Sequence, residues 1–559
     1  MSHRTLQPFI NAGIISASQA ASTDVLLELA QSEKPKAEIS DEVVLGLALA
    51  LRAPSEGSVC VDLNTIANRA VSNLVDESVI SQWHTDAKQW AKALSDCTLL
   101  VCTPDQVSKT PRRPLVLNGS NLYLARSWDE ETKVSQMLRM RAESGRLEIL
   151  LGGPGTGKTT KAAEKLVAAF EGSTTPPDVA MAAPTGKAAK RAKEALLQKC
   201  VENNVSEEVR KRFEDVPSTT LHKLLGYRSS ARPGLSRFKY NSSETLPYEY
   251  VIIDETSMVS LPMMSRLLQA LRQDARLMLV GDPNQLASVE AGTVLADIEA
   301  SAIAGNVTIA ACIQSLTTNF RFADTSGIKK LADAVKFGDP TATLAALSCG
   351  TPDLTWVNPT NNNAGIKKIV DEIVRSAETV CTLAANGDSV GALNEITSIR
   401  TLCAHNLGPT GVFGLNSRVE QLLGAFTDHQ WYLGKPIMVT KNNPTTQLFN
   451  GDMGVVVATP QGGRVVAFPT EQNPRLESPA RLDSYETVHA MTIHKSQGSE
   501  FDRVVVILPT STSPLLTREL LYTAATRAKT SLVIVATAEA ITTAVTNQVS
   551  RATGLATRL

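Results

Sequence analysis

The stretch LEILLGGPGTGKTTKAAEKLVAAF (147–170) decides the fold. LEILL reads as a short apolar strand, GGPGTGK as a glycine loop, and TTKAAEKLVAAF as a helix with one apolar face. Gly152 to Thr159 fit G-x-x-x-x-G-K-T, a loop whose backbone N–H groups wrap phosphate oxygens at the positive end of a helix. Gly152, Gly153, Pro154, Gly155, Thr156 and Gly157 form that cradle, and Thr160 continues it into the helix. Lys158 is placed to reach the β- and γ-phosphates, and Thr159 to offer its hydroxyl to Mg²⁺. The ligand this predicts is a nucleoside triphosphate, with ATP the first candidate.

Working outward, the same strand–loop–helix texture recurs, as expected of α/β units on a parallel sheet. DVAMAAP (178–184) leads into GKAAKRAKEALLQK, and YVIIDE (250–255) and RLMLVGD (276–282) are further short apolar strands. YVIIDE ends in two acids roughly one hundred residues after the glycine loop. Asp254 is placed to hold Mg²⁺, and Glu255 to orient or deprotonate an attacking water. That pairing predicts hydrolysis, beyond binding. A second α/β series begins near 310 and closes with RVVVILP (503–509) and SLVIVAT (531–537).

Between those ends, PIMVTKN, GDMGVVVATP and RVVAFP are close-set strands joined by N-G and G-G turns, which predicts a small SH3-like β-barrel at about 430–485. Residues 1–125 are mostly helical in pattern, with a β-like piece, PLVLNGSNLYLARSW (114–128), and no catalytic constellation. They are expected to dock a partner. The domain plan is thus 1–125 for docking, 126–310 for a first RecA-like ATPase domain, and 311–559 for a second that holds the barrel. RSSARPGLSRFKYNSS (228–243) reads either as a small arm on the first domain or as a long loop.

The totals narrow the function classes. The chain has 559 residues, 55 basic and 56 acidic, for a net charge of −1. A globally basic nucleic-acid binder is excluded, so any such contact is a local groove or is shared with a partner. Aromatics are 4%, low for a protein that holds single strands mainly by stacking bases. Eight cysteines without a C-x-x-C pair suggest neither a zinc ribbon nor a disulfide framework, and fit a reducing, cytoplasmic setting. No apolar run approaches a membrane span.

A set of ordered blocks now carries a resemblance. APTGKAAKR (183–191) resembles helicase motif Ia, LMLVGDPNQLASVEAG (277–292) motif III and LTTNFRF (316–322) motif IV. AMTIHKSQGSEFDRVVVILP (490–509) resembles motif V, and RELLYTAATRAK (518–529) motif VI. With the glycine loop and YVIIDE, they resemble the superfamily-1 helicase core. The wording of TTLHKLLGY, IDETSMVSL, GVFGLNSRVEQLL, TIHKSQGSEFD and the N-terminal GSVCVDL is similar to the RecD family, the alpha subunits of RecBCD-type (exonuclease V) complexes.

The resemblance implies two P-loop domains with ATP and Mg²⁺ in the cleft between them. Arg321 and Arg527 would meet the γ-phosphate from the far domain, Gln285 would sense it, and Gly498 and Glu500 would lie near ribose and phosphates. Single-stranded DNA from a duplex end would run over both domains. Its contacts would come from Thr185, Gly186 and Lys187, from Thr219, Thr220 and His222, and from Thr492, His494 and Lys495. It further implies 5′→3′ movement inside a heterotrimer with RecB-like and RecC-like subunits that processes double-strand breaks for recombinational repair. The nuclease would belong to a partner chain.

Two alternatives are weighed beside it: a free-standing RecD-like helicase on DNA or RNA, and a non-enzymatic, ATP-gated scaffold. The intact Lys158, Asp254, Glu255, Gln285, Arg321 and Arg527 argue against the scaffold. One departure from the family pattern stands out. The Q-x-x-A segment that reads adenine is not evident between Trp128 and Gly152, since Gln136 in SQMLRM does not match. Adenine is therefore expected to be read loosely.

Overall fold

The computed structural model describes residues 2–35, 38–67, 83, 86–108, 112–171, 177–202, 205–228, 237–424, 429–443, 445–470 and 473–559. The N-terminal region packs the helices Ser2–Asn11, Ala17–Glu33, Asp41–Arg52 and Ala87–Asp96 on a small sheet of β1 (Cys60–Asp62), β2 (Val101–Cys102), β3 (Leu115–Asn118) and β4 (Asn121–Leu124). Asn118–Asn121 is the expected tight turn, and Gly119 takes the left-handed conformation it needs, with φ 60°. Alternation along β3 and β4 divides their side chains. Leu115, Leu117 and Leu122 join the helical core with Leu45 and Trp90, whereas Val116 and Tyr123 join the core of the next domain. The region is therefore fused to the motor through one face of its sheet.

The first motor sheet comprises β5 (Leu147–Gly152), β6 (Val179–Ala183), β7 (Ser218–Thr220), β8 (Tyr250–Ile253), β9 (Arg276–Gly281) and β10 (Ile313–Leu316). Its order is β10-β5-β9-β8-β6-β7, all parallel. Both faces are covered, which is why these strands read as continuous apolar runs. Ile149, Leu151, Leu277 and Leu279 face the core with the helices Ala125–Glu143 and Leu261–Ala270, while Leu150, Met278 and Val280 face the helices Lys158–Glu171 and Gly186–Glu202. Leu279 is fully buried, so Leu279→Ala would cost about 2–5 kcal/mol. Because β10 is an edge strand of this sheet, the boundary expected at 310/311 falls too early. The short, half-polar IQSL gains strand character from its pairing with β5, not from its own sequence.

The second motor sheet uses β11 (Leu354–Val357), β12 (Ile399–Cys403), and, after an insertion, β18 (Ala490–Thr492), β19 (Phe501–Ile507) and β20 (Ala528–Val535). It is parallel in the order β11-β20-β19-β12-β18. The insertion holds β13 (Pro436–Val439), β14 (Met453–Ala458), β15 (Arg464–Phe468), β16 (Arg475–Glu477) and β17 (Tyr485–Thr487). These form one antiparallel sheet, β16-β15-β14-β13-β17, at the place expected of the small barrel. Among the described residues, its edge strands β16 and β17 do not pair with each other.

At 228–243 the base of the expected arm is a hairpin. Tyr227 pairs antiparallel with Phe238, and Arg228 N donates to Arg237 O at 2.7 Å. Residues 229–236 lie outside the described residues. After its last long helix, Ala538–Thr546, the chain leaves the second domain and returns to the first: Leu555 is buried in the first domain's core. No helix among the described residues is long and apolar enough to cross a membrane.

Candidate nucleotide site and nucleic-acid track

The glycine loop follows β5, with strands on both sides of it, at the carboxyl edge where α/β sheets bind ligands. Gly155 and Gly157 have φ of 77° and 74°, open to glycine at no steric cost. Gly155 also has to be small: a Cβ there would lie 2.6 Å from Cβ of Arg321. Lys158 Nζ donates to the carbonyl oxygens of Gly152 at 2.6 Å and Gly153 at 2.9 Å, which holds its charge at the mouth of the loop. Thr159 Oγ1 donates to Asp254 Oδ2 at 3.0 Å, so the two expected metal-binding groups meet, one from the start of the helix Lys158–Glu171 and one from the end of β8.

Asp254 is buried, and burial, reinforced by the neighbouring Glu255 charge, pushes its carboxyl above the usual range. A cation there would relieve that cost. Glu255 adopts a left-handed backbone, φ 53° and ψ 42°, which is strained for a residue with a side chain. Strain of that kind is held where the surroundings over-determine one conformation.

The second domain closes over this edge. Phe320 N donates to Gly155 O at 2.8 Å, and Asn319 Nδ2 to Pro154 O at 3.2 Å. Arg321 pairs with Glu500 at 2.5 Å and also donates to Thr526 O at 3.2 Å. Burial alone would raise the Glu500 carboxyl, yet Arg321, Arg191 and Arg527 hold it below its ordinary value. Glu500, expected beside the ribose, is thus the counter-ion of Arg321. Arg527 is buried and bonds Gln285 Oε1 at 3.1 Å, Ser499 O at 3.3 Å and Thr523 O at 3.1 Å. Burial lowers its pKa, but a guanidinium this basic stays charged.

Three further groups at this junction were not singled out from the sequence. Asp282, buried, accepts from Gln285 Nε2 at 3.2 Å and from Tyr522 OH at 3.1 Å. Tyr522 also sits against Gly153, where a Cβ would meet its hydroxyl at 2.9 Å. Phe320, 78% exposed, has its ring 3.6 Å from a Cβ position at Gly157. The only signal for each was its place inside a motif already quoted. Gln136, by contrast, is exposed on the helix Ala125–Glu143.

The expected DNA contacts share one pattern. Thr185 Oγ1 accepts from Ala188 N at 3.3 Å, Thr220 Oγ1 from Lys223 N at 3.3 Å, and Thr492 Oγ1 from Lys495 N at 3.3 Å. Each follows or ends a parallel strand, caps the turn after it, and keeps its own O–H proton to donate. Thr219 lies beside Thr220 in β7, and His222 packs edge-on to Tyr227 with centroids 5.6 Å apart. Thr492 is largely buried by its cap, and Lys495 pairs with Glu486 at 2.6 Å.

Three placements differ from expectation. Lys187 points across the cleft, its Nζ 3.0 Å from Ser499 Oγ, and burial brings its pKa down to about 8. Gly186 lies under Phe449 of the inserted sheet, which a Cβ would meet at 3.3 Å. Gly498, with φ 69°, turns against Thr185, whose Oγ1 would lie 3.4 Å from a Cβ there, on the side of the expected DNA track.

Two parallel-sheet domains with a P-loop, an acid pair and opposing arginines at their junction define a superfamily-1 helicase motor. Residues 137–291 match the family described as an AAA domain, 487–535 a UvrD-like helicase C-terminal domain, and 12–123 the N-terminal domain of RecBCD enzyme subunit RecD. The chain is 40% identical to RecBCD enzyme subunit RecD of Mycolicibacterium smegmatis, over 92% of this chain and 93% of that one. It is 37% identical to the Mycobacterium tuberculosis subunit, over 99% and 96%. The chain belongs to the RecD family. It is also 30% identical to the ATP-dependent RecD2 DNA helicase of Deinococcus radiodurans, over 69% of this chain but 46% of that protein.

Proposed function

We propose that the chain is the ATP-driven 5′→3′ DNA helicase subunit of a RecBCD-type complex, acting with RecB-like and RecC-like partners on single strands drawn from duplex ends. The observation that carries the reading is the junction of Lys158, Asp254, Gln285, Arg321 and Arg527 between two sheets. No single domain supplies all five. The near end-to-end match with RecBCD subunits favours a complex-bound subunit over a free-standing helicase, since the chain spans under half of the RecD2 protein. The nuclease of such a complex falls to a partner, and a cytoplasmic setting suits this work.

In the cycle, Lys158 holds the β/γ-phosphates and Glu255 orients the water that attacks the γ-phosphorus. Thr159 and Asp254 are hard oxygen donors, one hydroxyl and one carboxylate, which suits Mg²⁺ shared with substrate phosphates. When bound, Mg²⁺ supplies charge neutralisation on the phosphate oxygens. Arg527 and Arg321 reach the developing charge from the second domain, so hydrolysis requires closure. Loss of the phosphate releases Gln285, and the cleft relaxes. Alternation of closed and open clefts moves the threonine-capped turns of the two domains along the strand by turns. Phe320 stacks on the base, and because every base has a π-face this contact reads adenine loosely.

The test is strand separation on 5′-tailed and 3′-tailed duplexes with ATP. Unwinding of the 5′-tailed substrate alone supports the reading, and a 3′-tail preference removes the polarity.

A further inference from the structure

Resting on the helicase reading above, we infer that Arg551, in the C-terminal segment, is a positioning residue of the ATPase cycle that pins the loop carrying Gln285 to the second domain and to the N-terminal region.

The loop concerned runs from Asp282 to Gly292. Its first half is clamped by the second domain: Leu286 N donates to Thr523 Oγ1 at 2.9 Å, and Gln497 Nε2 donates to Leu286 O at 2.7 Å. Its second half is clamped by Arg551, whose Nη1 donates to Ser288 O at 2.6 Å and Glu290 O at 3.2 Å. Its end is tied to the N-terminal region, since Gly292 N donates to Gly57 O at 2.9 Å. Gly57 in turn makes room for the arginine. Its φ is 77°, and a Cβ there would lie 2.6 Å from Cζ of Arg551.

Arg551 is itself held on both sides. Before it, Val549 N donates to Glu519 Oε2, on the helix that leads to Arg527, at 3.0 Å. After it, Val59 N donates to Ala552 O at 2.8 Å, and Thr553 Oγ1 and Gly554 N donate to the buried Glu131 carboxylate at 3.0 and 3.1 Å. Arg551 also lies near His494, where its charge adds to burial in holding the imidazole below its ordinary pKa. One guanidinium therefore touches the phosphate-sensing loop, lies beside the turn expected to meet DNA, and abuts the region expected to dock partners. A guanidinium suits this post because the two N–H bonds of Nη1 lie in one fixed plane and meet both carbonyls, a direction that the freely rotating ammonium of a lysine does not hold. Shifts of Gly57 or of the second domain are passed to Ser288 and Glu290, and so to Gln285 a few residues upstream.

The experiment measures steady-state ATP hydrolysis by the complete chain with and without a poly-thymidine single strand, for the wild type, Arg551→Ala, Arg551→Lys and Gly57→Ala. Unfolding midpoints and active-site titration correct for the amount of folded protein. For Arg551→Ala, kcat with DNA should fall on the order of tenfold or more while KM for ATP stays within about twofold, as expected of a small misplacement of a sensing group. Arg551→Lys should recover part of the loss. Gly57→Ala, which leaves Arg551 in place but pushes its guanidinium aside, should reproduce it. Variants that keep the wild-type kcat per titrated site, or lose activity only as folded protein is lost, overturn the positioning role while the helicase reading stands. A wild type that hydrolyses no ATP with DNA overturns both.

Discussion

Arg527 Nη2 stands 3.1 Å from Gln285 Oε1, joining the last motif of the chain to the third across the junction of the two domains. Gln285 is fixed from behind by Asp282, which also takes the hydroxyl of Tyr522 from the helix that carries Arg527 toward the cleft. Gln285 and Arg527 are therefore one hydrogen-bonded unit, and a change in either reaches the other.

Charge on the γ-phosphoryl oxygens grows mainly in the transition state, so a guanidinium delivered by closure stabilises that state more than bound ATP. Arg527→Ala should lower kcat on the order of 10³-fold with little change in nucleotide Kd, and Arg527→Lys should rescue poorly. Single-turnover hydrolysis beside equilibrium nucleotide binding checks this. Weakened ATP binding with normal turnover would show that the arginine acts elsewhere.

Phe320 is the exposed aromatic beside the phosphate loop. Phe320→Ala should raise KM for ATP and GTP alike by about fivefold, in line with ~1 kcal/mol for a lost ring contact. Initial rates over a range of both nucleotides decide it, and a defect confined to ATP would point to an edge-reading residue.

His489 is half-buried between the second sheet and the insertion, its Nε2 2.7 Å from Tyr432 OH. Burial, then the charges of Arg400 and Lys435, lowers its pKa to about 3, below the 6.5 of an exposed histidine. Between those values the unfolded chain binds a proton that the folded chain refuses, so stability rises with pH across this window and is lost as pH falls through it. His489→Gln should flatten that slope. Urea denaturation between pH 4 and pH 7 is the measurement, and an unchanged slope would assign the acid lability to other groups.

Glu131 is fully buried and accepts from Tyr123 OH, Thr553 Oγ1 and Gly554 N while pairing with Arg558 at 3.2 Å. Glu131→Ala leaves a cation and several donors without their acceptor, and should cost about 3–5 kcal/mol. Chemical denaturation reads this directly, and a cost under ~1 kcal/mol would mean that the C-terminal segment is not anchored there.

The nucleotide site was legible because its chemistry is written locally. Lys158 and Thr159 open the helix after one glycine loop, and Asp254 follows one apolar strand, so spacing alone predicted that they come together. The parallel sheets were legible for the same reason, through continuous runs such as RLMLVGD. What stayed hidden is non-local. Glu131 and Thr553 lie far apart in sequence and meet only in the fold, so nothing in 549–559 marked that segment as a strap. The pairing of Glu500 with Arg321 was hidden too, since a motif states which residues matter and not which of them neutralise each other. The same fusion alters what deletion of 1–125 would do. Gly57, Val59 and Cys60 hold the strap and the sensing loop, so removing the region would disturb the motor as well as any docking.

That ATP hydrolysis by this motor is coupled to DNA is read from its rate with and without single-stranded DNA, for the wild type beside Lys158→Ala. Lys158 sits on the carbonyls of Gly152 and Gly153, so its removal takes away the phosphate-binding cation and leaves the domain interiors untouched. Strong stimulation of the wild type by DNA is expected, with no hydrolysis above background from folded Lys158→Ala. A folded Lys158→Ala chain that still hydrolyses ATP at the wild-type rate, or a wild type indifferent to DNA, would contradict it.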